Sequence, residues 1–522
     1  MQRTPHILWA DDEIDLLRPH ILFLEQRGFE ITPVNSGDAA LDAVKEKPFD
    51  LVFLDEQMPG LNGIETLLKL KELRPHLPAI MITKSEEEHI MEEAIGAKIS
   101  DYLIKPVNPN QILSAIKKNL DVKRLVSERA MSDYQREFRE LTMRMMGRLD
   151  AADWVEIYER LTHWRVELSR SEDTGMQEVL DMQYTDADRQ FARFVEGEYA
   201  EWMAGPGEDV PTVSHRLLPE RLPVALSEAE GRPTYLVVID NLRLDQWKVI
   251  EPLISDAFRV VRSEPYMAML PTATAYARNA LFAGLTPAEI ARIYPDLWVG
   301  EEDEGGKNMH EDKLFGNLLS RLDVEGRHGY FKVTNLAAGR NLLDNFHQTR
   351  DNRITAIVYN FVDMLSHART EMEVIKELAD DEPAYRSLTL SWFEHSPLRE
   401  MFNLMASYGA RVIVTTDHGT IRVNNPVQVR GERNTNSNLR YKVGRNLGYD
   451  ASDVFEVREP EKFGLPRPNI SSAYIFAREK DFLVYPNNQN HFVQYFRDTF
   501  QHGGISMEEM IVPWIELEPK NR

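Results

Sequence analysis

The chain has 522 residues, no cysteine, and a formal net charge of −23 from 61 Lys and Arg against 84 Asp and Glu. That length exceeds one hydrophobic core and predicts several domains. The acidic balance argues against broad binding to nucleic acid or anionic membrane, while leaving room for a local basic pocket. The absence of cysteine removes any disulfide framework and fits a cytoplasmic protein. No apolar run approaches the roughly 18 residues of a membrane span, and Asp11-Asp12-Glu13 interrupts the apolar stretch near the start before it resembles a signal segment.

In chain order, Ile7-Leu8-Trp9 is a short apolar strand ending at Asp11-Asp12, and Leu51 to Leu54 is another ending at Asp55, followed by the turn Met58-Pro59-Gly60. Ala79 to Ile82 leads into Thr83, and Tyr102-Leu103-Ile104 into Lys105-Pro106. Helical-period segments alternate with these strands, which predicts a doubly wound, flavodoxin-like parallel sheet. Polar residues then collect at the strand ends. Magnesium prefers carboxylate oxygens, so Asp11 and Asp12 suit it, held against Asp55, which is placed to attack an incoming phosphoryl group. Lys105 pairs with the product and Thr83 hydrogen-bonds a phosphate oxygen.

The stretches Asp55-Glu56-Gln57-Met58-Pro59-Gly60 and Ile104-Lys105-Pro106 resemble the receiver domain of two-component response regulators, over essentially all of residues 1–122. The resemblance implies phosphorylation of Asp55 by a sensor histidine kinase, and magnesium held by Asp11, Asp12, Asp55 and Gln57. It also implies a switch formed by Thr83, Tyr102 and Lys105. A phosphate at Asp55 is expected to bias Thr83 and Tyr102 and to pair the receiver with a second copy.

Residues 123–205 read as a three-helix bundle. Tyr134, Phe138, Leu141 and Met145 recur at helical spacing, as do Trp154, Tyr158, Leu161 and Leu168, then Leu180, Tyr184, Ala187, Phe191 and Phe194. Asp150, Asp153 and Ser171 are candidate helix starts or breaks. Such aromatic stripes form core, so no cofactor is assigned to them. No helix-turn-helix pattern or basic recognition helix occurs, which excludes a DNA-reading output of that kind. Gly205-Pro206-Gly207 marks the loop into a final domain, residues 206–522.

In that domain three apolar runs each end in a carboxylate: Tyr235 to Ile239 into Asp240, Ala356 to Val362 into Asp363, and Arg411 to Thr416 into Asp417-His418. Such runs read as buried parallel strands, and ligands of open α/β sheets sit at the strands' carboxyl ends. A helical turn after the second run puts Asp363 and His367 on one face. His502 lies beside Gly503-Gly504, where the backbone can approach closely. Thr272 is expected to open the helix-forming run Ala275 to Phe282, beside unpaired N–H groups that suit a phosphate. Singly, Asp240 also fits a helix cap and Asp417-His418-Gly419 an ordinary turn. Together they supply the parts of a phosphoryl-transfer site.

This ordered set resembles the alkaline phosphatase superfamily, specifically its PglZ branch, over roughly residues 220–522. The resemblance implies one zinc held by Asp363, His367 and His502, a second held by Asp240, Asp417 and His418, and Thr272 as the nucleophile between them. A threonine at this place is typical of nucleotide pyrophosphatase/phosphodiesterases, which favours nucleotide or cyclic oligonucleotide diesters as substrates. Arg243, Arg278 and Asn279 are candidates for contacting the non-bridging phosphate oxygens. The basic stretch Arg430-Gly431-Glu432-Arg433 through Arg440-Tyr441-Lys442 and Arg445 reads either as a clamp on a phosphate backbone or as a solvated loop.

The order receiver, helical bundle, PglZ-like domain resembles PorX-type response regulators. It implies control of type IX secretion and contact with an alternative sigma factor or a secretion-machine component. The competing reading is a phosphorylation-switched protein-binding scaffold with a non-catalytic zinc domain.

Overall fold

The computed structural model describes residues 4–520 apart from 75–76, 85–98, 170–173, 208, 302, 304, 372–380, 433–434 and 487–488. Ser171 and Arg433, singled out above, lie outside the described residues. The chain divides into two compact units, Met1–Asp133 and Tyr134–Arg522. Among the described residues no helix is long and apolar enough to cross a membrane.

The first unit is a flavodoxin-like domain. Strands β1 (His6–Ala10), β2 (Glu30–Val34), β3 (Leu51–Asp55), β4 (Ala79–Thr83) and β5 (Asp101–Ile104) form one parallel sheet in the order β2-β1-β3-β4-β5. Strands β1, β3 and β4 are buried at every position, which explains their unbroken apolar character. The helices Gly37–Glu46 and Gly63–Leu73 are N-capped by Ser36 and Asn62, the latter in a reciprocal box with Glu65. Each such cap is worth about 1 kcal/mol. Their apolar stripes, including Ala40, Leu41, Val44, Leu67 and Leu70, cover one face of the sheet.

The second unit begins with helices whose stripes interlock. Tyr134, Leu141, Trp154, Tyr158, Leu161, Leu180, Tyr184 and Phe191 are buried. Asp150 caps the helix Ala151–Leu168 in a box with Asp153. The buried Gln183 of the helix Thr174–Ala204 accepts from the Tyr134 hydroxyl at 3.1 Å and donates to Phe138 O at 3.0 Å, satisfying its amide.

The rest of this unit is built on β6 (Thr234–Ile239), β7 (Phe258–Ser263), β8 (His328–Val333), β9 (Ile354–Tyr359), β10 (Arg411–Thr415) and β11 (Trp514–Pro519), in the order β7-β11-β10-β6-β9-β8. Strand β6 is parallel to β9 and β10, and β11 is antiparallel to β10 and β7. Side chains alternate across the pleat, so Tyr235, Val237 and Ile239 join one core while Leu236 and Val238 join the other. The register pairs Ile239 with Tyr359 and Val238 with Thr415, which brings the carboxyl ends of three strands together.

Two sequence expectations are corrected here. The run read as strand through Val362 stops at Tyr359, and Asp363 stands in the first turn of the helix Phe361–Glu371. Val362 is buried in that helix, so its apolar character did not require a strand. The helix expected to open at Thr272 spans Thr274–Ala283, with Ala273 as its cap.

Candidate metal centres

At the carboxyl edge of the first sheet, Asp11, Asp12 and Asp55 offer carboxylate oxygens lying within 4.8 Å of one another. Asp11 and Asp55 are buried and Asp12 is exposed. Lys105 Nζ lies 2.8 Å from Asp55 Oδ1 and 3.0 Å from Asp11 Oδ2. Burial lifts the Asp55 carboxyl above its usual range, Lys105 opposes this, and the neighbouring Asp11 charge adds to it. A cation at these oxygens would relieve that repulsion. The Thr83 hydroxyl donates to the Glu56 carboxylate. Gln57 is exposed, and Tyr102 is 39% exposed.

In the second unit, strand ends gather two further sets. Asp363, His367 and His502 form one, and Asp240, Asp417 and His418 the other, each with ligand atoms within 4.8 Å of one another. Nε2 atoms of His367 and His502 both stand 3.6 Å from Asp363 oxygens. His418 Nε2 is 3.6 Å from Asp417 Oδ2. The rings of His418 and His502 stack at 4.3 Å, so the two sets are neighbours. The first set opens outward through His367, whose side chain is 62% exposed, whereas the second is fully buried.

The donor chemistry fits divalent cations. Carbonyl oxygens accept only, so His502 Nδ1 donates to Thr272 O at 3.0 Å and His418 Nδ1 to Gly419 O at 3.1 Å. In the neutral tautomer that this bond selects, each ring turns a bare Nε2 to the site. Burial, with His418 and His367 alongside, holds His502 well below the ordinary histidine range. Burial pushes Asp240 and Asp363 up to about 6. Asp417 Oδ2 is buried with no hydrogen-bond partner. Buried acids, the neutral His502 imidazole and an unpartnered oxygen form an environment that a cation completes.

The two threonines of Pro271-Thr272-Ala273-Thr274 have different surroundings. Thr272 is fully buried, and its hydroxyl donates to Gly504 O at 3.0 Å and accepts from Gly503 N–H at 2.9 Å. It tethers the His502 loop. Thr274, the first residue of its helix, holds its hydroxyl 3.1 Å from His418 Nε2 and 3.4 Å from Asp240 Oδ1. Gly503, with φ +123°, must be glycine, since a Cβ there would stand 2.6 Å from Tyr441 Cδ1.

Sequence reasoning missed Thr274, although the helix-forming run begins directly after it. It also missed Asn241, in a left-handed conformation with φ 65°. Its backbone N–H points to Asp417 Oδ1 at 3.4 Å, while its amide donates to Ser366 Oγ at 3.3 Å and approaches Asp363 Oδ1 at 3.5 Å. Asn241 thereby touches both sets. An asparagine after a strand-end aspartate, where the chain must turn sharply, was the available signal.

The candidate phosphate contacts are occupied within the protein. Arg278 pairs Nη1 with Asp240 at 2.6 Å and Nε with Glu311 at 2.5 Å. Arg243 pairs with Asp245 and Glu382, and the Asn279 amide donates to Ala275 O and Lys307 O. At its centre the basic stretch is neither a solvated loop nor open to a phosphate backbone, because Arg440 is buried against Glu509 at 2.6 Å and Lys442 is 1% exposed.

Lys442 Nζ donates to Asn436 O at 2.9 Å and lies over the Tyr485 ring at 4.8 Å. Burial lowers its pKa from 10.5 to about 8. A folded-state value below the unfolded one contributes stability that is present above about pH 10.5 and lost as pH falls through about 8. Lys442→Met should therefore raise stability at pH 7 by roughly 1–3 kcal/mol, at 1.36 kcal/mol per pKa unit. Urea melts at pH 7 and pH 10.5 check this, with the gain vanishing at the higher pH.

Three family models match the chain in succession. They are the response regulator receiver domain over residues 7–117, the PorX response regulator linker domain over 124–203, and the BREX system PglZ alkaline phosphatase-like domain over 222–517. The alginate biosynthesis transcriptional regulatory protein AlgB of Pseudomonas syringae pv. tomato is 33% identical over 119 residues, 23% of this chain and 27% of that protein. The transcriptional regulatory protein ResD of Bacillus subtilis is 33% identical over 111 residues, 21% of this chain and 46% of that protein. The chain thus spans less than half the length of these relatives. A CheY-like response regulator receiver domain protein from Methanospirillum hungatei JF-1 is 30% identical and covers 23% of this chain and 95% of its own, at a TM-score of 0.22.

Fold and sites together define a two-component response regulator with an alkaline-phosphatase-like domain. The chain belongs to the PglZ alkaline phosphatase-like family and has the PorX-type order of receiver, linker and PglZ domains. A receiver domain implies phosphorylation by a sensor kinase, and both domain types ordinarily take divalent metals.

Proposed function

We propose that the PglZ domain is a zinc-dependent phosphodiesterase acting on nucleotide or cyclic oligonucleotide substrates, with Thr274 rather than Thr272 as nucleophile. The observation that carries this reading is the Thr274 hydroxyl, at a helix start and within hydrogen-bonding reach of His418 beside Asp240. Asp363, His367 and His502 would hold one ion and Asp240, Asp417 and His418 the other. Zinc bound there favours a threonine alkoxide and stabilises charge on attacking and leaving oxygens. Helix N–H groups after Ala273 face the phosphate, and Thr274 Oγ attacks phosphorus as the phosphorus–oxygen bond to the leaving alcohol breaks. The resulting phospho-threonine is then hydrolysed by water, releasing a monoester and restoring the hydroxyl.

Elemental analysis should find close to two zinc ions per chain, and His502→Ala should reduce this. Zinc affinity should fall as pH drops through about 6, because Asp240 and Asp363 take up protons there. A protein that holds no zinc at pH 7.5 and hydrolyses no nucleotide diester would end this reading.

In the receiver, the phosphoryl group goes onto Asp55, with magnesium held by Asp11, Asp12, Asp55 and Gln57. Phosphate draws the Thr83 hydroxyl from Glu56 and biases Tyr102 toward a dimer that serves type IX secretion. Light scattering should show the mass doubling when a phosphate mimic binds Asp55, and an unchanged mass across micromolar concentrations excludes it.

One observation favours a scaffold: Met143 and Met182 on the linker helices and Met146 in the turn after Met145 are 74%, 61% and 81% exposed, a surface suited to a protein partner. A scaffold requires Thr274→Ala to leave signalling intact while Asp55→Ala destroys it.

A further inference from the structure

Arg165 belongs to the linker helix Ala151–Leu168, yet its guanidinium ends 3.1 Å from Glu508 Oε1 of the PglZ domain, the side chains being 10% and 2% exposed. Its flat face lies 3.5 Å from the Tyr184 ring centroid, so an aromatic ring and a carboxylate fix it from two directions. A second link runs beside it, where Asp188 Oδ1 accepts from the Met507 N–H at 2.7 Å. Both contacts grip the helical turn Met507–Met510 from the linker side.

The other side of that turn carries the metal-ligand loops. Glu509 O accepts from the Gly419 N–H at 3.0 Å, next to His418. The packing there is so close that a Cβ on Gly419 would stand 2.0 Å from Glu508 O. The Glu509 carboxylate accepts from the Gly504 N–H at 2.9 Å, faces the Thr272 hydroxyl at 3.4 Å and pairs with Arg440 at 2.6 Å. Thr272 O in turn orients the His502 ring. One turn of helix therefore joins the linker to the backbones that aim His418 and His502.

Glu508 Oε2 has no hydrogen-bond partner, so Arg165 is the side chain that anchors this buried carboxylate. Without it, the buried carboxylate loses its ion-pair partner and keeps only the field of Arg243, so the turn must shift or draw in water. A displacement of Met507–Met510 is passed to Gly419 and Gly504, because neither contact has room for slack.

We propose that Arg165 is a positioning residue for the metal centre, acting through Glu508 and Glu509 on His418 and His502, so that the linker sets the cation affinity of the PglZ domain. This rests on the two-ion reading above. The test uses the full chain as wild type, Arg165→Ala, Arg165→Lys, Glu508→Gln and His502→Ala. The readouts are zinc affinity by chelator competition, the visible absorption of the cobalt-loaded protein, and thermal melting. Arg165→Ala should weaken zinc binding by about tenfold or more and alter the cobalt band, and Arg165→Lys should restore most of both. Arg165→Ala that melts earlier but keeps wild-type affinity and cobalt band overturns the proposal, since the contact is then structural only. If Arg165→Ala does not fold, Glu508→Gln decides, and wild-type affinity there overturns the proposal equally. Wild-type protein that takes up no ion defeats the two-ion reading itself, whereas an effect of His502→Ala without one of Arg165→Ala or Glu508→Gln defeats only the positioning role.

Discussion

Thr274→Ala should lower turnover of a nucleotide diester by at least about 10³-fold while leaving zinc content unchanged. The expectation rests on placement. Its hydroxyl is half-buried at the start of a helix, against His418 and Asp240, where a phosphorus atom could be reached. Thr272→Ala should behave differently. It removes a fully buried hydroxyl serving Gly503 N–H and Gly504 O, and leaving such a group unpaired costs about 1–3 kcal/mol. The loop that carries His502 then loosens, so Thr272→Ala should lower stability and zinc affinity with a smaller loss of turnover. Turnover, zinc per chain and urea midpoints separate the two variants. A Thr274→Ala protein that turns over normally beside an inactive, zinc-replete Thr272→Ala would return the nucleophile to Thr272.

Arg278→Met should destabilise the metal-free protein by about 3–5 kcal/mol. The guanidinium is fully buried between Asp240 and Glu311 and lies 4.0 Å from Asp417. Removing it strands three buried carboxylates around one void, and Lys332 at 3.0 Å from Glu311 compensates only the far end. Arg278→Lys keeps the charge but loses the fork that bridges two acids, so a smaller loss is expected. Zinc should narrow the difference between Arg278→Met and wild type, because a cation held by Asp240 and Asp417 replaces part of the missing charge. Urea unfolding with and without zinc measures this directly. An equal penalty under both conditions would mean that Arg278 answers to Glu311 alone.

Much of the fold was legible because β1, β3, β4, β6, β9 and β10 are buried at every position and so read as unbroken apolar runs. Asp11, Asp55, Thr83, Asp240 and Asp417 stand at or just after the ends of such runs, and an apolar run stopping at a polar residue is visible in one dimension. The spacing of Asp363 and His367 was equally readable, since the i, i+4 relation belongs to the helix itself. Less legible was which of two threonines two residues apart faces the ligands. A shift of two residues at a helix start turns a side chain from the cleft into the protein. No local pattern distinguishes a hydroxyl held by Gly503 and Gly504 from one set beside His418 and Asp240. The basic stretch misled for a related reason, since Arg440 finds its carboxylate partner 69 positions away at Glu509.

By itself the amino-acid sequence determined the order of domains, the strands and helices that build them, and the residue types brought to each strand end. These follow from periodicity and burial, which are properties of short segments. Only the tertiary structure decided which side chains share a site. It joined His502 to Asp363 and His418, set the Thr274 hydroxyl beside His418 while Thr272 faces Gly503 and Gly504, and enclosed the arginines in ion pairs. Each of those outcomes depends on register and distance between segments far apart in the chain, and burial makes such contacts decisive by leaving no water to substitute for a missing partner.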